Sequence, residues 1–265
     1  MRKGVIYRNK TKKVKERKWL AWLIIFLSLA CAVAYFIFFA SVFKIRNIDI
    51  TVEGERILAE QADEAVREFS NKKFLKIFPQ DNYFIFSSAM AEIFLKNKFS
   101  EIKEININKN IPHSLAIEIK ERQGVMLYCQ NGKCYDIDDE GIIFKEEQEV
   151  CGGLGVCVRD NSGLEAKIMT KALEIETIDF LLKTQEILRA KINLNLVYFE
   201  INIYPTIEVQ ALTSENWRIV FDTSRDSTAQ IEALRLVLEE KIKDQRDRLE
   251  YVDLRVENRV FYKMR

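Results

Sequence analysis

One long apolar run dominates the hydrophobic pattern near the start of the chain. From Trp19 to Phe43 no residue is charged. A bilayer core roughly 30 Å thick needs about 20 apolar residues in a helix, because every backbone polar group must be satisfied inside the segment. Trp19 and Trp22 stand at the first edge of the run, where aromatic side chains anchor helices at a membrane interface. The pattern therefore predicts a transmembrane helix over residues 19–43.

The residues that follow, 44–122, have the pattern of a small α+β unit. A β-branched run predicts a first strand, and apolar residues at helical spacing over 58–69 predict an amphipathic helix. Ser87 or Ser88 caps a second predicted helix, because a side-chain oxygen accepts an orphan N–H there. Two alternating runs on either side of residues 110–112 predict a hairpin with one dry face. The predicted order is strand, helix, helix, strand, strand, with both helices on one face of a small sheet.

Residues 123–265 have the pattern of a second unit with both helices and strands. The Asn131-Gly132 pair predicts a tight hairpin turn, because it supplies the positive φ angles that such turns need. Apolar spacing predicts a long helix over 164–189 and another over 228–243. Alternating residues predict further strands at 192–204, at 207–212, at 217–221 and as a final pair before the C-terminal end. The chain is thus expected to be α+β, with this unit built on a mostly antiparallel sheet.

Charge is distributed unevenly along the chain. Residues 1–18 carry nine basic residues and one acidic residue, so the remainder is mildly acidic although the net charge is +1. The flank before the apolar run is far more basic than the flank after it, and the positive-inside rule then places the N-terminus in the cytoplasm. The basic tail therefore sets topology, and the acidic body argues against nucleic-acid binding by the main mass. We expect a single-pass protein of the bacterial cell (inner) membrane, with its bulk outside.

Two processing signals compete with a retained anchor. Ala32-Val33-Ala34 has the form of a signal-peptidase site, and Ala30-Cys31 faintly resembles the start of a lipoprotein site. In both cases the apolar run continues beyond the candidate cleavage point, which is the wrong flank for cleavage. We therefore expect an uncleaved anchor, with Cys31 as an ordinary lipid-facing or helix-facing residue.

No pattern in the chain indicates catalysis. His113 is the only histidine, so a multi-histidine metal site is excluded and a catalytic triad based on histidine would depend on that one residue. The sequence has no Gly-rich phosphate loop and no nucleophile elbow. Acidic pairs such as Asp138-Asp139 fall at predicted turns, where Asp is favoured for backbone reasons. We expect no enzyme activity, no cofactor, no metal site and no small-molecule substrate.

Four cysteines follow the apolar run, and an even number outside the cytoplasm suggests disulfides. Cys129 and Cys134 lie one pair beyond the residues that flank the Asn-Gly turn, which opposes them with Cα atoms roughly 4.5 Å apart. This distance is at the short end of what a disulfide accepts. Cys151 and Cys157 bracket a Gly-rich loop that can close on itself. We predict the pairs 129–134 and 151–157; cross-loop bridges, a four-thiolate zinc site and free thiols are alternatives, although zinc spacing is poor without Cys-x-x-Cys.

Four short motifs, in order behind the anchor, resemble the bacterial cell-division proteins FtsQ and DivIB. Residues 43–54 resemble the first strand of that family's POTRA unit, and residues 111–122 resemble its proline strand, which ends in Glu-Arg. Residues 135–144 resemble its hairpin with an Ile-Asp-x-x-Gly pattern, and residues 251–263 resemble its C-terminal strands. The resemblance implies a POTRA domain (βααββ) over 44–122 and a mixed α/β domain with a curved, mostly antiparallel sheet over 123–265.

The resemblance also implies a function. Members of this family are non-enzymatic scaffolds that bind FtsL-like and FtsB-like (DivIC-like) single-span coiled-coil partners at the division septum. Through these partners they help to recruit and regulate septal peptidoglycan synthesis. An exposed C-terminal strand offers unpaired backbone groups to a partner strand. The residues implied to bind partners are Arg255, Val256, Asn258, Arg259, Val260, Phe261, Tyr262 and Lys263.

Two other classes of protein compete with this interpretation. The first is a POTRA-bearing envelope-assembly or secretion protein that binds unfolded clients. Such proteins usually end in a membrane barrel, with many alternating strands of about ten residues, and the pattern after residue 123 does not show such a set. The second is an anchored envelope enzyme, which the missing catalytic residues disfavour. Val256 also departs from the family pattern, in which an aromatic residue commonly follows Asp-Leu-Arg.

Overall fold

The first helix of the computed structural model, α1, covers Thr11–Phe39. Its segment Trp19–Phe39 is long and apolar enough to cross a membrane. The apolar side chains surround this segment and are exposed, as in Trp22 and Phe26 at 72% and 73%, which is typical of a helix that lipid covers. The predicted span of 19–43 is wrong at its end. The helix stops at Phe39, Ala40 is extended, and a short 3₁₀ turn follows.

The structure describes residues 11–74, 78–148, 151–152, 155–163, 165–202 and 207–265, with only the backbone of 11–18, 73–74 and 78–79. Part of the predicted basic tail, residues 1–10, lies outside the described residues. The chain divides into two compact units, Met1–Glu121 and Arg122–Arg265; within the former, α1 precedes a folded part, residues 44–121, to which the name first unit refers. The sequence analysis placed this boundary one residue later, after residue 122.

The end of α1 is joined to the first unit by buried polar contacts. The side-chain amide of Asn82 donates to the carbonyl oxygens of Ile37 and Phe38, at 3.0 and 3.1 Å. Asn82 is only 1% exposed, and the Lys44–Asp81 ion pair at 3.0 Å lies beside it in sequence. These contacts satisfy helix carbonyls that would otherwise lack partners. They also explain why the helix ends here and not at residue 43.

The first unit places two helices on a three-stranded sheet. Its strand order is β1-β5-β4, with β1 parallel to β5 and β4 antiparallel to it. The predicted order of strand, helix, helix, strand, strand is confirmed, with one short antiparallel pair, β2 and β3, that was not predicted. The elements are β1 Asn47–Glu53, α2 Ala59–Ser70, β2 Lys73–Phe74, β3 Phe78–Pro79, α3 Ser88–Lys98, β4 Ile102–Asn110 and β5 Ser114–Glu121.

The second unit is built on one mixed sheet. Among the described residues its nine strands run in the order β14-β13-β12-β11-β10-β9-β6-β7-β8, and most neighbouring pairs are antiparallel. The elements are β6 Met126–Gln130, β7 Lys133–Ile137, β8 Ile143–Glu147, β9 Cys157–Asp160, α4 Ile175–Ile192, β10 Leu196–Ile201, β11 Glu208–Thr213, β12 Arg218–Asp222, α5 Ser227–Val237, β13 Leu249–Asp253 and β14 Phe261–Met264.

The main core of the second unit lies between α4, α5 and one face of the sheet. Phe199, Trp217 and Phe221 are fully buried there, together with Leu181 of α4 and Leu234 of α5. Burying an aromatic or aliphatic side chain of this size contributes roughly 1.5–3 kcal/mol, so this face dominates the stability of the unit. The opposite face carries a much smaller buried cluster that consists of cysteines.

The predicted helix over 164–189 is wrong at its start. Leu164 lies outside the described residues, and α4 begins only at Ile175. Met169 has a φ of +64°, which a helix cannot contain. The preceding segment instead pairs with the start of β8, because Ile143 N–H donates to Thr170 at 2.9 Å and Ala172 N–H donates to Gly141 at 2.8 Å. A long-range pairing therefore takes backbone groups that the local pattern assigned to a helix.

Several other predicted boundaries moved inward for local reasons. Asn193 adopts a φ of +54° and ends α4, so the strand predicted over 192–204 shortens to Leu196–Ile201. Residues 203–206 lie outside the described residues. The helix predicted over 228–243 is confirmed as α5, which continues through a π-helical turn at Leu238–Ile242.

Candidate partner-binding edge

The C-terminal hairpin forms one edge of the nine-stranded sheet. β13 pairs with β12 on one side and with β14 on the other, and β14 is the outermost strand. The connection turns at Asn258, whose φ of +59° is one that Asn tolerates well. An outermost strand carries a row of backbone N–H and C=O groups on its outer side, ready to pair with another chain. All eight residues expected to bind partners lie on this strand or on the connection before it.

Apolar side chains make this edge unusual. Phe261 is 50% exposed and Tyr262 is 44% exposed, and Val256 in the connection is 46% exposed. Natural edge strands are usually protected by charge, proline or short length; β14 is short and carries Lys263, but its exposed rings leave apolar surface at the edge. Val260, in contrast, packs against the main core, so it supports the strand as much as it could serve a partner. The edge therefore offers a partner aromatic side chains as well as backbone hydrogen-bonding groups.

The positive charge of Arg255 is engaged inside the chain. Its guanidinium contacts Asp253 at 2.7 Å and Glu208 at 2.6 Å. The hydrogen bonds raise the pKa of Arg255 and hold the pKa of Asp253 below its usual value. Arg255 therefore positions the loop and has little free charge to offer. The sequence analysis expected Arg255 to bind a partner, but the structure shows its guanidinium bound to carboxylates of the same chain.

Two further basic residues, Lys263 and Arg259, are less fully neutralised within the chain than Arg255 is. Lys263 pairs with Glu250 at 2.7 Å, and that contact raises the pKa of the lysine. Both partners are more than 40% exposed, so solvent screens the pair. Arg259 is exposed, and its backbone N–H donates to Val256 at 3.2 Å, which closes the turn. The charge that a partner would meet is therefore concentrated on Arg259, with a partly screened contribution from Lys263.

One residue that sequence reasoning missed holds this loop in place. Arg225 precedes α5, and its guanidinium donates to the carbonyl oxygens of Leu254 and Arg255, at 2.9 and 3.1 Å. The two carbonyls belong to the connection between β13 and β14. No local pattern signals this contact, because about 30 residues separate the partners. Arg225 is thus a positioning residue for the candidate edge.

Other motif residues prove to be structural. Glu121 is 2% exposed, and its carboxylate accepts backbone N–H groups from Glu55, Arg56 and Ile57 at 2.5–3.0 Å. A Cβ on Gly54 would lie 2.2 Å from that carboxyl group, so glycine is required beside it. Glu121 thereby caps the approach to α2. It contributes to the first unit's fold and not to the candidate edge.

A second buried carboxylate organises the hairpin after β7. Asp138 is fully buried, accepts N–H groups from Glu140 and Ile142 at 3.0 and 2.9 Å, and pairs with Arg122. A buried charge needs such partners, since leaving it unpaired costs several kcal/mol. The acidic turn is thus held together by hydrogen bonds. The backbone carbonyl of His113 accepts N–H groups from the start of β1, and its ring lies 3.4 Å from the hydroxyl oxygen of Ser114.

The cysteines lie at the far end of the same sheet from the candidate edge. Cys129 and Cys134 are opposed across the β6–β7 hairpin, as the Asn-Gly turn predicts, and a disulfide joins them with Cα atoms 4.0 Å apart. A second disulfide joins Cys151 to Cys157, with Cα atoms 5.5 Å apart. Cys31 is exposed on α1.

No family model matches the chain, and no curated protein matches it either.

Proposed function

We propose that this protein is a membrane-anchored, non-enzymatic scaffold of bacterial cell division. In this proposal α1 spans the inner membrane once with its N-terminus in the cytoplasm, and the two units lie outside. The first unit is a POTRA domain, and the second presents its terminal strand to a partner. The order of strands and helices in the first unit and the four family-like motifs support this assignment.

The observation that carries the proposal is the exposed aromatic edge at β14. Phe261 and Tyr262 lie on the outermost strand of a sheet, with Arg259 exposed beside them. A partner strand added there would gain backbone hydrogen bonds from the edge and apolar contacts from the rings. The expected partners are FtsL-like and FtsB-like (DivIC-like) proteins with a short, acidic, strand-forming segment. Through them the scaffold would help to recruit and regulate septal peptidoglycan synthesis.

The first test is capture of these partners by the full chain in detergent. A double charge reversal, Arg259→Glu with Lys263→Glu, should lower the amount of co-purified partner at least tenfold, because it reverses the charge that meets an acidic segment. The matched control is Arg189→Glu with Lys241→Glu, which reverses the same number of exposed charges on helical surface away from the edge. Equal capture by both double variants would refute the proposed edge.

The second test is the location of an N-terminal fluorescent fusion in dividing native cells. A band at mid-cell that appears with septation is expected for a division scaffold. An even distribution around the envelope through the cell cycle would contradict that role and favour the alternative of an envelope-assembly protein that binds unfolded clients.

A further inference from the structure

The four cysteines of the second unit form one sulfur cluster. In the sheet register, Cys129 of β6 is opposite Cys134 of β7, and Cys157 of β9 is opposite Leu127, two residues before Cys129. Residues two apart on a strand share a face. The cysteines therefore lie together on the face away from α4 and α5, where they make the small buried cluster of the sheet.

The two disulfides lie within van der Waals distance of each other. The Cys129 sulfur is 3.7 Å from the Cys151 sulfur and 3.8 Å from the Cys157 sulfur. These three sulfurs all lie within 4.8 Å of one another. Zinc binds thiolates tetrahedrally at about 2.3 Å, which separates neighbouring sulfurs by about 3.8 Å. The Cys129 sulfur thus already has, to each sulfur of the other disulfide, the separation that one tetrahedral ion requires, whereas Cys151 and Cys157 are bonded to each other and must part once they are reduced.

The fourth sulfur is held by its bond to Cys129. The side chain of Cys134 projects from the strand position directly opposite Cys129. Once both disulfides are reduced, rotation about the Cα–Cβ bonds frees the Cys134 sulfur from Cys129 and the Cys151 and Cys157 sulfurs from each other, so that each can take a separate position around an ion. The main chain of the hairpin can remain as it is, because β6 and β7 stay paired through their backbone.

The surroundings suit an anionic metal complex. Four thiolates around one Zn²⁺ carry a net charge of −2, which a nearby cation stabilises. Arg159 is the register partner of Cys129 on β9, and it lines the same cleft of about 290 Å³ as Cys129, Cys134 and Cys151. Its guanidinium lies 3.9 Å from the ring centre of Tyr198, which fixes its position.

We propose that the reduced cluster binds one Zn²⁺ through Cys129, Cys134, Cys151 and Cys157. An external dithiol supplies two electrons and two protons to each disulfide and becomes a disulfide itself. The four thiols formed then release four protons as one Zn²⁺ binds. The site would be the same in both states, closed by two disulfides when oxidised and by the ion when reduced. This departs from the sequence-based expectation of no metal, since Cys-x-x-Cys spacing is replaced here by pairing between strands.

The test uses the full chain in detergent, reduced by an immobilised phosphine and kept under nitrogen, with Co²⁺ as the probe. We expect one Co²⁺ per chain, a thiolate-to-metal charge-transfer band in the near ultraviolet and the visible bands of a tetrahedral ion, all lost when Zn²⁺ is added. The oxidised chain should show none of these bands. Absence of one-to-one binding by the reduced chain would overturn the proposal.

Variants separate this site from adventitious binding. Cys129→Ser should weaken Co²⁺ binding at least tenfold, because Cys129 is the sulfur nearest to both others. The matched control Cys31→Ser removes the cysteine of α1 and should leave the stoichiometry and bands unchanged. Circular dichroism follows the fold, and a reduced chain that unfolds and is not restored by Zn²⁺ would also refute the site. Equal binding by the Cys129→Ser and Cys31→Ser variants would do the same.

Discussion

Replacement of Gly141 by alanine tests how the acidic hairpin is joined to the segment before α4. Gly141 has a φ of +81°, and a Cβ there would lie 2.0 Å from the carbonyl oxygen of Leu173 and 3.3 Å from Ile178. Real side chains never approach backbone that closely, so the segment must move away. That movement breaks the hydrogen bonds from Ala172 to Gly141 and from Ile143 to Thr170.

The expected cost has two parts. An alanine in a left-handed conformation costs roughly 1–2 kcal/mol, and each of the two broken backbone hydrogen bonds adds about 1 kcal/mol. Gly141→Ala should therefore destabilise the second unit by about 3–4 kcal/mol. Gly132→Ala is the matched control, because Gly132 has a similar φ of +79° but nothing lies within 4 Å of its added Cβ. It should cost only the conformational part.

Trp217 offers a local signal for this comparison. The chain has three tryptophans, two of which, Trp19 and Trp22, lie on α1. Replacing both by Phe leaves Trp217, which is 1% exposed in the core of the second unit. In urea, a difference of about 2 kcal/mol between the two glycine variants lowers the unfolding midpoint by roughly 1 M at an m-value of about 2 kcal/mol/M.

The reasoning fails if the two midpoints coincide. Equal destabilisation would mean that the segment before α4 yields to the new methyl group without losing its hydrogen bonds. A Gly141→Ala variant more stable than Gly132→Ala would mean that the close approach of Leu173 has no energetic consequence at all.

Two further predictions concern buried and partly buried carboxylates. Glu121→Gln should cost about 2 kcal/mol, because the amide cannot accept all the N–H groups that the carboxylate accepts; faster hydrogen exchange of the capped amides at residues 55–57 is the measurement, with exposed Glu118→Gln as control. Because Arg255 lowers the pKa of Asp253, their pair stabilises the fold above the unfolded pKa of about 3.9 and is lost as pH falls through the lower folded pKa. Arg255→Met should therefore lose up to about 1 kcal/mol at neutral pH and almost nothing in strong acid, as followed by Trp217 unfolding; a constant difference across pH would contradict this.

Local chemistry explains which parts of the fold could be predicted. The Asn131-Gly132 turn and the Ser87 cap of α3 depend on neighbouring residues, and both are present, with Ser87 accepting from Met90 at 3.4 Å. The apolar pattern of α3 was less informative about its buried face. Met90 and Ile93 are 48% and 62% exposed, whereas the buried residues of this helix are Ala91 and Leu95. Periodicity identified the helix, and packing decided its orientation.

Long-range contacts explain what could not be predicted. The motif at the C-terminal end indicated which residues form the candidate edge, but not that Glu208 neutralises Arg255 or that Arg225 holds the connection. These partners lie tens of residues away in sequence, and no spacing rule connects them. The sulfur cluster is a similar case, because the register of β6 against β9 brings the two cysteine pairs together.

The junction at Asn82 means that α1 and the first unit move as one body. Because the amide of Asn82 is bound to the last carbonyls of α1 and Lys44 is tied to Asp81, no slack chain separates helix from domain. A turn of α1 about its own axis would swing the first unit by the same angle. Any helix that packed against α1 would thereby set the direction in which this unit faces, and substituting Asn82 would uncouple the two.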